Sequence, residues 1–251
     1  MHRFFLLDAP LQTGHSVDLA PIGRQLRNVL RLHVGERIVL LDGKGAAYGA
    51  EITMLDRQTA TGVVLEPQTS ASEPSVHLTL YQCSLKADKF EWVLQKGTEL
   101  GVSTFVPVIS ARSVVRPAAA LLKKYERWRL IVQEAAEQSG RTRLPQLHAP
   151  LDWRDAVQHA RGARYMPWEE RIGEMGAPGL GVAIEDAWRQ LDSLPSVNLL
   201  IGPEGGIEAA EAAEAIRLGW QTATLGPRIL RAETAALAAV TIVMERLRQL
   251  S

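Results

Sequence analysis

Apolar residues recur along this chain of 251 residues in two rhythms. Up to about residue 70 the rhythm is short. Ile38–Asp42, Tyr48–Asp56 and Thr59–Glu66 are runs rich in Val, Ile, Thr and Leu, which predicts three strands. Asp42-Gly43-Lys44-Gly45 and Asp56-Arg57-Gln58 supply the turns between them. Ahead of the strands, Ile22, Leu26, Val29 and Leu30 fall at helical spacing. Arg24, Arg27 and Arg31 lie at i, i+3 and i+7 on another face of that helix. Spacing alone favours a solvated helix face for these arginines, and the alternative is a basic stripe along a nucleic-acid backbone.

Glu66–Ser75 breaks the pattern with two prolines and three serines, which predicts a linker between domains 1–71 and 72–251. Beyond it the rhythm lengthens and alternates. Val76–Ser84, Thr104–Ser110, Gln146–His148, Ala163–Met166, Val197–Ile201 and Thr222–Leu225 read as extended. Lys86–Leu100, Ala118–Gln138, Trp153–Arg161, Glu185–Leu191, Ile207–Leu218 and Glu233–Leu250 read as helices, with a glycine-rich irregular stretch at Ile172–Val182. Such alternation predicts an α/β fold, a mostly parallel sheet with helices on both faces. The last helix is apolar nearly all round in its first turns, so that stretch is expected to be buried in a core or an interface.

Composition narrows the class. A hydrophobic share of 46% with 22% charged residues excludes a disordered chain. The longest apolar run, Thr234–Met244, is too short to cross a bilayer, and Met1–Asp8 has no sustained apolar stretch of the kind a cleaved signal needs. Cys83 is the one cysteine, so no intramolecular disulfide forms, and no Cys/His pair has zinc-ligand spacing. A cytoplasmic protein with no membrane contact and no metal is expected. The 28 basic and 28 acidic side chains cancel, yet Arg112–Arg143 carries eight basic residues against three acidic. That basic middle could follow phosphates.

Phosphate loops of the G-x-x-x-x-G-K-[ST] type, H-E-x-x-H and G-x-S-x-G are absent, and the six histidines form no ligand pattern. Chemistry concentrates in two strand–loop–helix segments. The first is Leu199-Leu200-Ile201-Gly202-Pro203-Glu204-Gly205-Gly206. Open α/β sheets bind ligands outside the carboxyl ends of their strands. A tight turn alone needs one glycine, whereas three in five residues let a backbone approach a ligand. Glu204, Glu208 and Glu211 crowd the next helix start, where they suit the helix dipole but repel a pyrophosphate. An uncharged or cationic ligand is expected, and S-adenosylmethionine, a sulfonium without phosphate, fits. The second segment is Leu225-Gly226-Pro227-Arg228-Ile229-Leu230-Arg231-Ala232-Glu233-Thr234-Ala235. Helix capping accounts for Glu233 and Thr234. It does not account for Arg231, a cation set against the dipole just before a helix.

These two segments, with Gln95-Lys96-x-x-Glu99-Leu100-Gly101-Val102 and Glu137-Gln138-x-Gly140-Arg141, resemble the RsmE family. That family comprises bacterial 16S ribosomal RNA uridine-N3 methyltransferases of the SPOUT superfamily. Val29-Leu30-Arg31-x-x-x-Gly35 and Leu41-Asp42-Gly43 extend the resemblance into the first domain. It implies an N-terminal PUA-like β-barrel that binds RNA and a C-terminal SPOUT α/β domain with a trefoil knot. It also implies S-adenosylmethionine bent within the knot loops, a homodimer, and 16S ribosomal RNA or the small ribosomal subunit as partner.

Carried over by position, the cofactor residues are Pro167, Ile201, Gly202, Pro203, Glu204, Gly205, Gly206, Leu225, Gly226, Arg228, Ile229, Leu230 and Ala235. The third cofactor loop is expected at Pro167-Trp168-Glu169. Arg231 is the expected catalytic residue, holding a uracil carbonyl and favouring the N3 anion, with Glu204 as a candidate base. Arg24, Arg27, Arg31, Arg112, Arg141 and Arg143 are the expected RNA contacts. Where some members have threonine this chain has Ala232, and Glu208 replaces a usual serine or threonine, which is expected to weaken the helix cap. Two other readings stay open on sequence: an RNA-binding protein without catalysis, and a nucleotide-dependent oxidoreductase or kinase, which the acidic loop disfavours.

Overall fold

The computed structural model describes residues 1–86, 88–171, 178–191 and 196–250. The chain divides into two compact units, Met1–Glu73 with Gln133–Leu144, and Pro74–Val132 with Pro145–Ser251.

In the first unit, the predicted strands are β3 (Arg37–Leu41), β4 (Ala47–Leu55) and β5 (Ala60–Gln68), paired antiparallel. Both turns are built by aspartates. Asp42 Oδ1 accepts the backbone N–H of Lys44, Gly45 and Ala46 at 2.8, 3.0 and 2.9 Å. Asp56 does the same for Gln58 and Thr59, and those N–H bonds hold its carboxyl below the ordinary range. Two strands of three residues, β1 (Arg3–Phe5) and β2 (Ser16–Asp18), flank the sheet in the order β1-β3-β4-β5-β2. Three residues are too few to show an alternation, so the sequence gives them no signal. No ladder joins β1 to β2 among the described residues, so backbone pairing does not close the expected barrel.

The helix ahead of β3 departs from the expectation. α1 (Ala20–Arg24) ends early, and Gln25–Val29 is a π turn. Arg31 follows with φ 55°, a left-handed conformation outside any helix. Wider winding and that break remove the single stripe that i, i+3, i+7 spacing implies for Arg24, Arg27 and Arg31.

Gln133–Leu144 joins this unit through Ala136, which packs with Phe5, Val39, Leu41 and Ala47. Glu137 Oε1 accepts the Phe5 N–H at 3.0 Å across 132 residues of sequence, and burial pushes its carboxyl up. Arg141 is 3% exposed and bonds Glu73 at 3.0 Å. The other Glu73 oxygen accepts the N–H of Thr142 and Arg143 at 2.8 and 2.9 Å.

The second unit is a parallel sheet. Its strands are β6 (His77–Cys83), β7 (Thr104–Ile109), β8 (Gln146–Leu147), β9 (Leu151–Asp152), β10 (Ala163–Pro167), β11 (Ser196–Ile201) and β12 (Gln221–Ala223). They run in the order β12-β10-β11-β6-β7-β8, with β9 also on β7. The helices are α2 (Lys89–Glu99), α3 (Ala118–Leu122), α4 (Tyr125–Ser139), α5 (Trp153–His159), α6 (Leu180–Leu191), α7 (Ala209–Arg217) and α8 (Ala232–Arg246). The helix expected over 118–138 is thus two, broken at Lys123-Lys124, and α4 passes from the second unit into Gln133–Leu144. The glycine-rich stretch ends sooner than expected, because α6 begins at Leu180; its residues 172–177 lie outside the described residues. Parallel strands buried on both faces explain the continuous apolar runs, such as Leu199, Leu200 and Ile201 at 0, 0 and 2% exposure. Cys83 is wholly buried and its thiol is pushed up to about 12, which makes it a core residue and not a nucleophile. α8 packs against α2, α6, β6 and β11 through Ala236, Ala239, Val240, Val243 and Met244, while Thr234 and Thr241 face outward.

Candidate functional site

Three neighbouring strands, β12, β10 and β11, run parallel, so their carboxyl ends lie at one edge of the sheet. The loops that leave them carry the residues singled out in the sequence. A cavity of about 410 Å³ is lined by Lys89, Pro167, Glu169, Ile201, Gly202, Pro203, Glu204, Gly206, Ile229, Leu230, Arg231, Ala232 and Ala235. An adjoining recess of about 60 Å³ adds Trp168, Leu225, Gly226 and Arg228. The two share Pro167, Glu169, Ile229, Leu230 and Ala235. Every expected cofactor residue except Gly205 therefore lines one or both.

The glycine loop, Gly202–Gly206, is held on all sides. Gly206 N–H bonds the Pro203 carbonyl at 3.0 Å, and Gln82 Nε2 reaches the Gly202 carbonyl at 3.5 Å. Gly206 has φ 74°, a left-handed conformation that favours glycine, and a Cβ there would displace the Glu169 carboxylate. Gly205 needs its small size for another reason. Its missing side chain would meet Arg112 Cβ at 3.1 Å, so its α-carbon faces Arg112 and not the cavity.

Arg112, an expected RNA contact, is engaged at this loop. Its Nη1 donates to the Gly205 carbonyl at 3.1 Å, and its Nε pairs with Glu208 at 3.6 Å. Glu208 does not weaken the helix start. It forms a reciprocal capping box with Glu211, whose other oxygen accepts the Ala111 N–H at 2.8 Å. Of the remaining expected RNA contacts, Arg141 is excluded by its burial against Glu73. Arg24, Arg31 and Arg143 are exposed, and Arg27 is half-buried.

The arginine loop, Leu225–Arg231, is its opposite. Among the described residues its one hydrogen bond is Ala235 N–H to the Arg231 carbonyl, the first bond of α8. Ile229 is 80% exposed, and Gly226 has φ 103°. Arg231 caps α8 from an extended conformation and makes no ion pair among the described residues. Glu204, the candidate base, is engaged: its Oε1 accepts the Lys86 N–H at 3.1 Å and lies 3.5 Å from Lys89 Nζ. Lys89 also lies 3.4 Å from Glu233 Oε1. Sequence reasoning missed Lys89, although it carries the same signal as Arg231, a cation at the first turn of a helix where the dipole opposes it.

The lining fits S-adenosylmethionine. Pro167, Ile201, Ile229, Leu230 and Ala235 give apolar walls for a purine, and exposed backbone groups of both loops offer partners for hydroxyls. Glu169 and Glu204 suit a sulfonium and oppose phosphates.

Known proteins share this layout. An RNA methyltransferase domain matches residues 72–244, and an RNA methyltransferase PUA domain matches residues 26–65. The ribosomal RNA small subunit methyltransferase E of Bacillus subtilis is 32% identical, covering 97% of this chain and 96% of that protein. Its counterpart in Synechocystis is 36% identical over 88% of this chain and 70% of its own. The crystal structure of the corresponding Neisseria gonorrhoeae enzyme, bound to S-adenosylmethionine, superposes with a TM-score of 0.84 at 37% identity, over 98% and 97% of the two chains.

Proposed function

This chain belongs to the ribosomal RNA small subunit methyltransferase E family, and from that premise we propose that it methylates N3 of a uridine in 16S ribosomal RNA. The observation that carries the reading is the cavity where the glycine and arginine loops meet, with Arg231, whose guanidinium has no ion pair among the described residues, on its wall.

S-adenosylmethionine, when bound there, supplies an electrophilic methyl group. What remains is the task of the chain's own residues. Uracil N3 carries a proton at neutral pH, and its lone pair is available only as that proton passes to solvent water. Arg231 is always protonated, so it is no base. Its N–H donors can instead hold a carbonyl beside N3 and favour the negative charge that develops on the ring. Ile229 and Leu230 line the cavity beside Arg231. Glu204 is bonded to the Lys86 N–H and Lys89, which favours an orienting role over proton removal.

Three finer features belong to the same reading. α8, which starts next to the arginine loop and packs under β11 and β6, is the segment that would pass through a trefoil knot. The protein acts as a homodimer on the small subunit or its RNA. The first unit, matched as a PUA domain, contributes RNA affinity through Arg24 and Arg31 and takes no part in methyl transfer. No helix among the described residues is long and apolar enough to cross a membrane, in keeping with a ribosomal substrate reached in the cytoplasm.

The test is transfer of labelled methyl from S-adenosylmethionine to small subunits lacking the modification, followed by nucleoside analysis. Labelled 3-methyluridine is expected. Label in another nucleoside would overturn the N3 assignment, and no label under conditions where the cofactor binds would overturn the enzyme reading.

A further inference from the structure

Two carboxylates, Glu204 and Glu233, share one cation, Lys89, and Arg231 on the cavity wall pairs with neither among the described residues. Glu233 lies two residues from Arg231 in the chain. It pairs instead with Lys89, which comes from α2, and Lys89 reaches Glu204 as well. Glu233 is 15% exposed in its side chain, and its second oxygen, Oε2, is buried with no hydrogen-bond partner among the described residues. A buried carboxylate with a free acceptor draws in the nearest available donor. Lys89 holds Glu233 in this structure, and Arg231, which makes no ion pair among the described residues, is the donor left to take its place.

We propose that Lys89 is a positioning residue that occupies Glu233 and so keeps the Arg231 guanidinium free for the substrate. The inference rests on the reading of Arg231 given above. The competition is physical. Glu233 stands in the first turn of α8, where the helix dipole suits a carboxylate, and a largely buried carboxylate needs a cation beside it. Lys89 is a compact ammonium that can satisfy two carboxylates from one place, and Glu204 on its other side fixes it there. Remove that ammonium and the carboxylate of Glu233 turns to the planar fork of Arg231, for which bidentate pairing is the strongest option available. The arginine then answers to Glu233 and not to a uracil carbonyl. Lys89 thus acts on catalysis without touching the reacting atoms.

This predicts a rescue that a merely structural residue would not give. Lys89→Met should lose at least about tenfold in single-turnover methyl transfer, with cofactor affinity held within about threefold, an effect of the size that coupled neighbours show. Adding Glu233→Gln to Lys89→Met should restore most of that rate, since a neutral carboxamide no longer captures Arg231. Lys89→Arg, which keeps a cation, should stay within about threefold of the parent. A double variant as slow as Lys89→Met, or slower, overturns the proposal, as does an unchanged rate in Lys89→Met.

A second measurement needs no activity. Nitrogen-15 spectra of the arginine side chains should show the Arg231 Nε–H of the parent in fast exchange, and slowed exchange in Lys89→Met. If the Arg231 Nε–H of the parent is already protected, the proposal fails even where Lys89→Met does not fold. Should the parent bind S-adenosylmethionine but transfer no methyl, the enzyme reading fails while these spectra still decide the pairing.

Discussion

The glycine loop and the arginine loop line the same cavity, yet one is tied and the other is loose. Gly202–Gly206 is gripped by Gln82, Lys86 and Arg112 and by its own turn, with a capping box directly behind it. Among the described residues Leu225–Arg231 makes one hydrogen bond, at its last residue, and leaves Ile229 in solvent. The tied loop has its ligand-facing backbone already in place, so binding there costs little ordering. The loose loop must gain its order from the ligand, and it carries Arg231, the arginine proposed to act on the uracil. A site divided this way separates holding the cofactor from committing the reaction, and substitutions in the two loops should fail differently.

The largest effect is expected in the loose loop. Arg231→Ala should lower the methyl-transfer rate by about 100- to 1,000-fold, as loss of one preorganised donor does, with cofactor affinity within a few-fold. Calorimetry beside single-turnover kinetics checks the split, and equal losses in both would erase the distinction between the loops. Next comes the tied loop. Gly206→Ala forces an L side chain into φ 74° against Glu169, a strain worth about 1–3 kcal/mol. Cofactor affinity should fall by about 5- to 100-fold, and saturating cofactor should recover the rate. A rate that stays low at saturation would mean the glycine loop also orders the arginine loop.

A smaller loss is expected at the tether. Arg112→Ala removes the bond to the Gly205 carbonyl, worth about 1 kcal/mol, so affinity should drop by roughly fivefold with no change in the salt dependence of RNA binding. A flatter salt dependence would return Arg112 to the RNA. The smallest effect serves as a control, because Glu137 belongs to neither loop. Burial raises its carboxyl above the ordinary value, so the folded state holds a proton that the unfolded state has released. In that window stability falls as pH rises. Glu137→Gln should flatten this part of the stability curve, followed by thermal unfolding from pH 4 upward, and leave rate and cofactor affinity unchanged.

What the sequence could say depended on distance along the chain. Gly202–Gly206 and Arg231 stood out because each broke a local rule, three glycines where one suffices and a cation facing a helix dipole. Lys89 broke the same rule, but the loop between the strand Val76–Ser84 and its helix holds no glycine to mark it. The roles of Arg112 and Arg141 were illegible for a different reason. Both sit in a basic stretch, and only the fold brings Gly205 and Glu208 to one, Glu73 to the other. Charge counting sees an arginine and cannot see its partner. The short strands β1 and β2, and the tie between Phe5 and Glu137, rest on contacts that no window of local sequence contains.

The order of strands in the parallel sheet also sets a schedule. β6 is the first strand of its unit to be synthesised, but one of its two neighbours, β11, begins at Ser196. Until some 120 further residues have been added, β6 can pair only with β7, leaving a bare edge on the apolar run Leu78–Cys83. Folding of this unit must therefore run late, after β11 has joined and α8 has covered it, and slowly, because so many of its pairings close long loops. A nascent chain stopped before Ser196 should present that edge to other chains and aggregate or engage a chaperone, whereas Met1–Glu73 pairs its own strands within the first 68 residues.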